Sequence, residues 1–192
     1  MAKAFSEREK KIIQQNLISN CNECWSKYGY SRTSIREICS NIGISIGAFY
    51  IFYKSKEALF LETASKFQND LVDMVSKDLS KNTTKGNFIE VFKKMCKEIQ
   101  KTPWLIDFDA IDYELFLRKL PEEDMNRLFE QNKRDITSVL NKVNLKLKCT
   151  EDEFNAVVHM LLISLLNKDK IGIEFDNAFN IVVNLCFESL FE

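Results

Sequence analysis

Residues 25–60 read WSKYGYSRTSIREICSNIGISIGAFYIFYKSKEALF, and the order of caps, glycines and apolar positions in this stretch spells helix, turn, helix. Gly29 follows an apolar-periodic segment, where a residue that tolerates φ > 0 ends a helix at little cost. A new helix starts within a few residues. Thr33 or Ser34 serves as its N-cap, and Ser34 with Glu37 fits the S-x-x-E capping box ahead of Ile35 and Ile38. Gly43 supplies a turn, Ser45 caps a third helix through Ala48, Phe49, Tyr50 and Phe52, and Ser55 caps a fourth that opens Lys56-Glu57-Ala58-Leu59. Two short helices joined by a turn with a central glycine form a helix-turn-helix, whose second member fits a major groove about 12 Å wide. Here that member is residues 45–53.

Around this motif the 192-residue chain is built for helices. It holds five Gly and two Pro, and three of the glycines (29, 43, 47) fall inside the motif. The net charge of −1 conceals an asymmetry: residues 1–56 carry 9 Lys/Arg against 4 Asp/Glu, leaving 18 against 24 for residues 57–192. A cationic excess beside a helix-turn-helix suits phosphate binding, and an acidic remainder discourages nucleic acid from binding elsewhere.

The motif residues resemble the tetracycline-repressor-like (TetR) family of bacterial transcriptional regulators. The likeness is carried by Trp25 ahead of Gly29-Tyr30, then Thr33-Ser34-Ile35, Glu37-Ile38-Cys39, Gly43-Ile44-Ser45, Gly47-Ala48-Phe49-Tyr50 and Ser55-Lys56-Glu57-Ala58-Leu59. It covers roughly the first third of the chain; the remainder is similar to the family in length and helical pattern alone. The resemblance implies an all-α fold with a DNA-binding domain over 1–56 and a ligand-binding and dimerisation domain over 57–192. It also implies a homodimer that binds a double-stranded DNA operator and is released by a small-molecule inducer. Thr33, Tyr50 and Lys56 match family positions that hold the phosphate backbone, whereas Phe49 and Tyr53 match positions packed in the headpiece core. Ser34, Arg36, Ser45, Ile46, Gly47, Ala48, Ile51 and Lys54 complete the expected DNA-binding set. The recognition helix departs from the family pattern at Ile46, Ile51 and Lys54. With no Arg or Lys at its entrance to take guanine O6 and N7, and with Ile46 and Ala48 able to meet thymine methyls, it predicts an A·T-leaning operator.

The body reads as amphipathic helices over about 56–80, 88–101, 104–119, 121–146, 150–166 and 176–191, preceded by a first helix over about 6–28. Phe154, Val158, Leu161, Leu162 and Leu165, and then Phe179, Val183 and Cys186, recur at helical spacing and are expected to form a dimer interface of four helices. Trp104, Phe108 and Ile111 share one face, and Phe92 and Cys96 of the preceding helix are expected to line the same inducer pocket. Asp112 borders that face and predicts a lipophilic cation as the ligand.

Other function classes find little support. His159 is the sole histidine, set in FNAVVHMLLISLL with no nucleophile pattern beside it, and reads as an interface or core residue. Asp107, Asp109, Asp112 and Glu114 read as a solvated cluster. Cys21 and Cys24 lie in one helix without a second ligand pair, so they read as packing and not as a metal or redox site. The expectation is therefore no enzyme activity, no metal and no cofactor. The N-terminus lacks an apolar signal core and no run reaches the ~20 residues of a membrane span, which predicts a soluble cytoplasmic protein. An all-helical protein-interaction module that does not bind DNA is the alternative; salt-dependent DNA binding separates the two.

Overall fold

The computed structural model describes residues 5–102, 104, 110–126 and 137–192. Ser6 opens the first helix, α1 (Glu7–Arg32), with a complete capping box: its hydroxyl accepts from the Glu9 N–H, and the Glu9 carboxylate accepts from the Ser6 N–H at 2.8 Å. Gly29 breaks the helical path at φ 77°, ψ 174°, a conformation that a residue with a Cβ rarely adopts. One further turn carries the chain to Arg32. The helix-turn-helix follows as α2 (Ile35–Ile42) and α3 (Ile46–Phe52), then α4 (Lys56–Asp78), α5 (Lys85–Ile99) and α6 (Ala110–Leu117). The last elements are α7 (Glu151–Leu166), the short α8 (Lys168–Ile171) and α9 (Phe175–Leu190). The fold is all-α.

The chain divides into two compact units, Met1–Phe67 with Phe108–Glu122, and Gln68–Asp107 with Glu123–Glu192. In the first, Leu17, Ile38, Phe49 and Leu59 are fully buried, and the Trp25 and Phe60 rings stack. Phe116 of α6 completes this core, with ring centroids 5.2 Å from Phe60 and 5.4 Å from Tyr30. A short helix some fifty residues downstream thus belongs, by packing, to the N-terminal unit. Burying a side chain of this size stabilises by about 1.5–3 kcal/mol, enough to hold α6 in place.

The second unit is organised around phenylalanines. Phe92 and Phe187 lie 4.7 Å apart, Phe88 and Phe191 5.1 Å, and Phe154 joins the same cluster. Thr150 caps α7 with a second complete capping box through Glu153, as its spacing predicts.

One sequence expectation fails here. The helix expected to reach residue 146 is helical over 122–126 and 137–140 but leaves the helix after residue 140. Val143, Leu145 and Leu147 alternate at a period of two, the spacing of a strand, and Val143 is buried with Leu145 and Leu147 packed against the core. Leu147 forms an isolated antiparallel bridge with Phe191. The Lys148 N–H donates to the Leu190 carbonyl at 2.8 Å and the Glu192 N–H to the Lys146 carbonyl at 2.9 Å, which ties down the end of α9. Among the described residues no single helix is long and apolar enough to cross a membrane.

Candidate nucleic-acid interface

The turn between α2 and α3 is set by local chemistry. The Ser34 hydroxyl accepts from the Glu37 N–H and the Ser45 hydroxyl from the Ala48 N–H at 3.1 Å, so each helix starts where its cap residue lies. Gly43 ends α2 in the left-handed region at φ 72°, with its N–H returned to the Cys39 and Ser40 carbonyls. Three residues, Gly43 to Ser45, then turn the chain by 98°. That angle lies within the range of helix-turn-helix units, about 90–120°.

α3 has two sharply different faces. Phe49 is fully buried and Tyr53 nearly so, anchoring the helix, as their motif positions imply. Ser45, Ile46, Gly47, Tyr50, Ile51 and Lys54 are exposed, and Ala48 is half-buried. Tyr50, at 55% exposure, is not a core aromatic. Ser34 and Arg36 of the α2 entrance are exposed as well.

Thr33 and Lys56 are placed differently from their neighbours in the expected set. Thr33 is buried, and its hydroxyl donates to the Gly29 carbonyl at 2.7 Å. The Lys56 ammonium donates to the carbonyls of Tyr30 (2.7 Å) and Thr33 (3.0 Å) and lies 3.9 Å from the centre of the Tyr30 ring. Partial burial lowers the Lys56 pKa. The physical reason is the end of α1: the Tyr30 and Thr33 carbonyls lie where the helix stops and take the Lys56 ammonium as donor, while the Gly29 carbonyl accepts both the Thr33 hydroxyl and the Thr33 N–H, the latter at 3.2 Å. Both side chains brace the corner that presents α2 and α3.

Residues 17–63 match the model of bacterial regulatory proteins of the tetR family. Among curated proteins, 63 residues are 38% identical to the uncharacterized HTH-type transcriptional regulator YerO of Bacillus subtilis, and 57 residues are 46% identical to YuxN of the same organism. These segments cover 33% and 30% of this chain but 20% and 18% of those relatives' own length. The HTH-type transcriptional repressor AcnR of Corynebacterium jeikeium is 26% identical over 127 residues, covering 64% of this chain and 66% of AcnR. The headpiece, residues 17–63, is thus similar to that of TetR-family regulators. The fold of the whole chain extends the likeness beyond the headpiece. A TetR family transcription regulator from Marinobacter aquaeolei superimposes with a TM-score of 0.69 at 16% identity, covering 97% of this chain and all of that one. FadR from Bacillus subtilis, solved with stearoyl-CoA, gives 0.67 at 15% identity, covering 92% and 98%.

The residues expected to line an inducer pocket are divided between the two units. Phe92, Cys96 and Trp104 are buried in the second, where Phe92 packs on Phe187. Asp112 belongs to the first, and its carboxylate accepts from the Ser31 hydroxyl. Phe108 and the Ile111 side chain lie outside the described residues.

The expected dimer residues are also redistributed. Phe154, Leu161, Leu165 and Val183 are buried in the core of a single chain, and Val158, Leu162, Phe179 and Cys186 are partly buried, the first three of them packed against that core. The apolar side chains that α7 and α9 leave exposed are others: Met160 (71%), Ile163 (51%), Ile181 (60%), Val182 (46%) and Leu185 (66%). His159 stands exposed beside them. Helices apolar on most of their circumference give no sequence signal of which side faces inward. The thiols of Cys21 and Cys24 are buried, and burial pushes Cys21 up to about 12, the opposite of an activated thiolate.

Proposed function

We propose that the chain is a homodimeric, sequence-specific DNA-binding repressor released from its operator by a small lipophilic molecule taken up in the second unit. The observation that carries the reading is the α2–α3 corner, a 98° turn on Gly43 that buries Phe49 and leaves Ile46, Gly47, Tyr50, Ile51 and Lys54 on one outward face. The repressor sense follows the relative AcnR. A lipophilic ligand suits the phenylalanine-rich second unit, and FadR, of the same fold, is solved with stearoyl-CoA.

The mechanism is a population shift. Two headpieces occupy successive major grooves only when their separation is near one helical turn, about 34–36 Å. A ligand that prefers a body conformation with another separation lowers operator affinity by its differential binding free energy. Dimerisation through the exposed residues of α7 and α9 supplies the two-fold relation. Asp112 is not assigned to the ligand, because Ser31 already engages its carboxylate.

Fluorescence anisotropy with the DNA upstream of the protein's own gene tests the reading. Binding should weaken steeply with salt and exceed binding to scrambled DNA. Arg36→Ala should flatten the salt dependence by about one ion. Equal affinity for scrambled DNA, or none for either, would refute it.

A further inference from the structure

α3, IGAFYIF, carries no Arg, Lys, Asn, Gln, Asp or Glu, so it lacks the side chains that read guanine or adenine bidentately. Its outward face instead holds two large apolar side chains, Ile46 at 40% and Ile51 at 63% exposure. Leaving two isoleucines in water forgoes the stabilisation that burial would give them. Neither is needed to anchor the helix, a task Phe49 performs from the opposite side.

Gly47 between them points the same way. Glycine weakens a helix relative to alanine. Gly47 does not have positive φ, and a Cβ added there would meet nothing closer than the Ser45 hydroxyl at 3.8 Å. Neither backbone conformation nor internal packing requires glycine here. What a bare Cα on the outward face of a recognition helix permits is close approach of another molecule's surface. Ala48, the other residue expected to meet a methyl, is half-buried.

We infer that Ile46 and Ile51 read thymine 5-methyl groups across the gap left by Gly47, so that each operator half-site is specified by methyls at two positions and not by hydrogen bonds to guanine. This rests on the DNA-binding reading above. The 5-methyl of thymine is the apolar group on the major-groove edge of the bases. Five residues of helix separate the two side chains by about 7.5 Å along the axis, about two base-pair steps of 3.4 Å. Ile46 and Tyr50 lie on one edge of the face and Gly47 and Ile51 on the other, so the two isoleucines address different bases.

The experiment starts from an operator selected from random DNA by the full-length protein. Deoxyuridine then replaces thymidine one position at a time, which removes the methyl and keeps the base pair. Two positions in each half-site should lose affinity by about fourfold apiece. Ile46→Ala should abolish the loss at one position and Ile51→Ala at the other, with both variants keeping the wild-type thermal midpoint because both side chains are exposed. A fully deoxyuridine-substituted operator bound as tightly as the thymidine form would overturn the inference while leaving DNA binding intact. So would methyl sensitivity that persists unchanged in both variants. Absence of any selected sequence would overturn this inference and the DNA-binding reading together.

Discussion

The Ser31 hydroxyl donates to the Asp112 carboxylate, joining residues 81 positions apart within the first compact unit. The same carboxylate crowds Gly29: a Cβ built there would lie 2.6 Å from the Asp112 Oδ2. α6 is thus fitted to the break in α1 by a hydrogen bond, by Phe116 in the ring cluster and by the missing side chain of Gly29. Gly29→Ala should destabilise the protein by about 1–3 kcal/mol, from the forced positive φ and the crowding together. Asp112→Ala should cost about 1 kcal/mol, since its hydrogen bond is exposed. Urea unfolding of the double variant separates the two causes. Removing Asp112 should recover part of the Gly29→Ala loss, never all of it, because the backbone strain remains.

Adjacent residues of α3 should respond oppositely. Phe49→Ala opens a cavity at a fully buried site and should cost about 3–5 kcal/mol. Tyr50→Ala, at an exposed site, should change stability by no more than about 0.5 kcal/mol and weaken operator binding. Thermal melts paired with anisotropy check both; a large loss of stability in Tyr50→Ala would show that the ring packs inward.

The redistribution of apolar residues on α7 and α9 predicts a contrast between neighbours. Leu185→Glu and Met160→Glu, on the exposed side, should give folded monomers. Val183→Glu and Leu161→Glu place a carboxylate in the core and should unfold the second unit. Sedimentation velocity and circular dichroism together decide it. An undisturbed dimer in Leu185→Glu would remove that face from the interface.

Two capping boxes make acid stability predictable in sign. Hydrogen bonds from the Ser6 hydroxyl and N–H hold the Glu9 carboxyl below its ordinary range, and the Thr150 N–H and hydroxyl do the same for Glu153. A carboxyl whose folded pKa is depressed contributes stability that is present above its unfolded pKa and lost as pH falls through the folded one. Stability should therefore decline on acidification below the ordinary glutamate range. Glu9→Gln with Glu153→Gln should make that decline shallower when urea midpoints are compared between neutral and acid pH.

Thiol chemistry should follow burial. Desolvation pushes Cys21 and Cys96 up to about 12, so neither forms appreciable thiolate at neutral pH. Mass spectrometry after brief alkylation of the native protein should find Cys149, which is half-exposed, modified well before Cys21 or Cys96. Early labelling of Cys21 would mean that the first unit opens readily.

What sequence alone determined here is chemistry that acts over three or four residues. Ser34, Gly43 and Ser45 set the corner of the helix-turn-helix because a cap hydroxyl finds its N–H three residues on and a glycine adopts positive φ wherever it stands. Thr150 with Glu153 started α7 for the same reason. The family resemblance of the motif implied Phe49 as inward, and it is fully buried. Tertiary structure alone decided the rest, and each case turns on a partner remote in sequence. Val143, Leu145 and Leu147 are extended because Phe191 lies alongside to pair with Leu147. Lys56 turns inward because α1 stops at Arg32 and leaves the Tyr30 and Thr33 carbonyls to its ammonium, and Thr33 because its hydroxyl joins its N–H on the Gly29 carbonyl. Asp112 serves the first unit because α6 packs on Trp25 and Tyr30. Leu161 is core and Ile163 surface, although both are apolar residues of one helix, because only the packing of α7 against α5 and α9 distinguishes its sides.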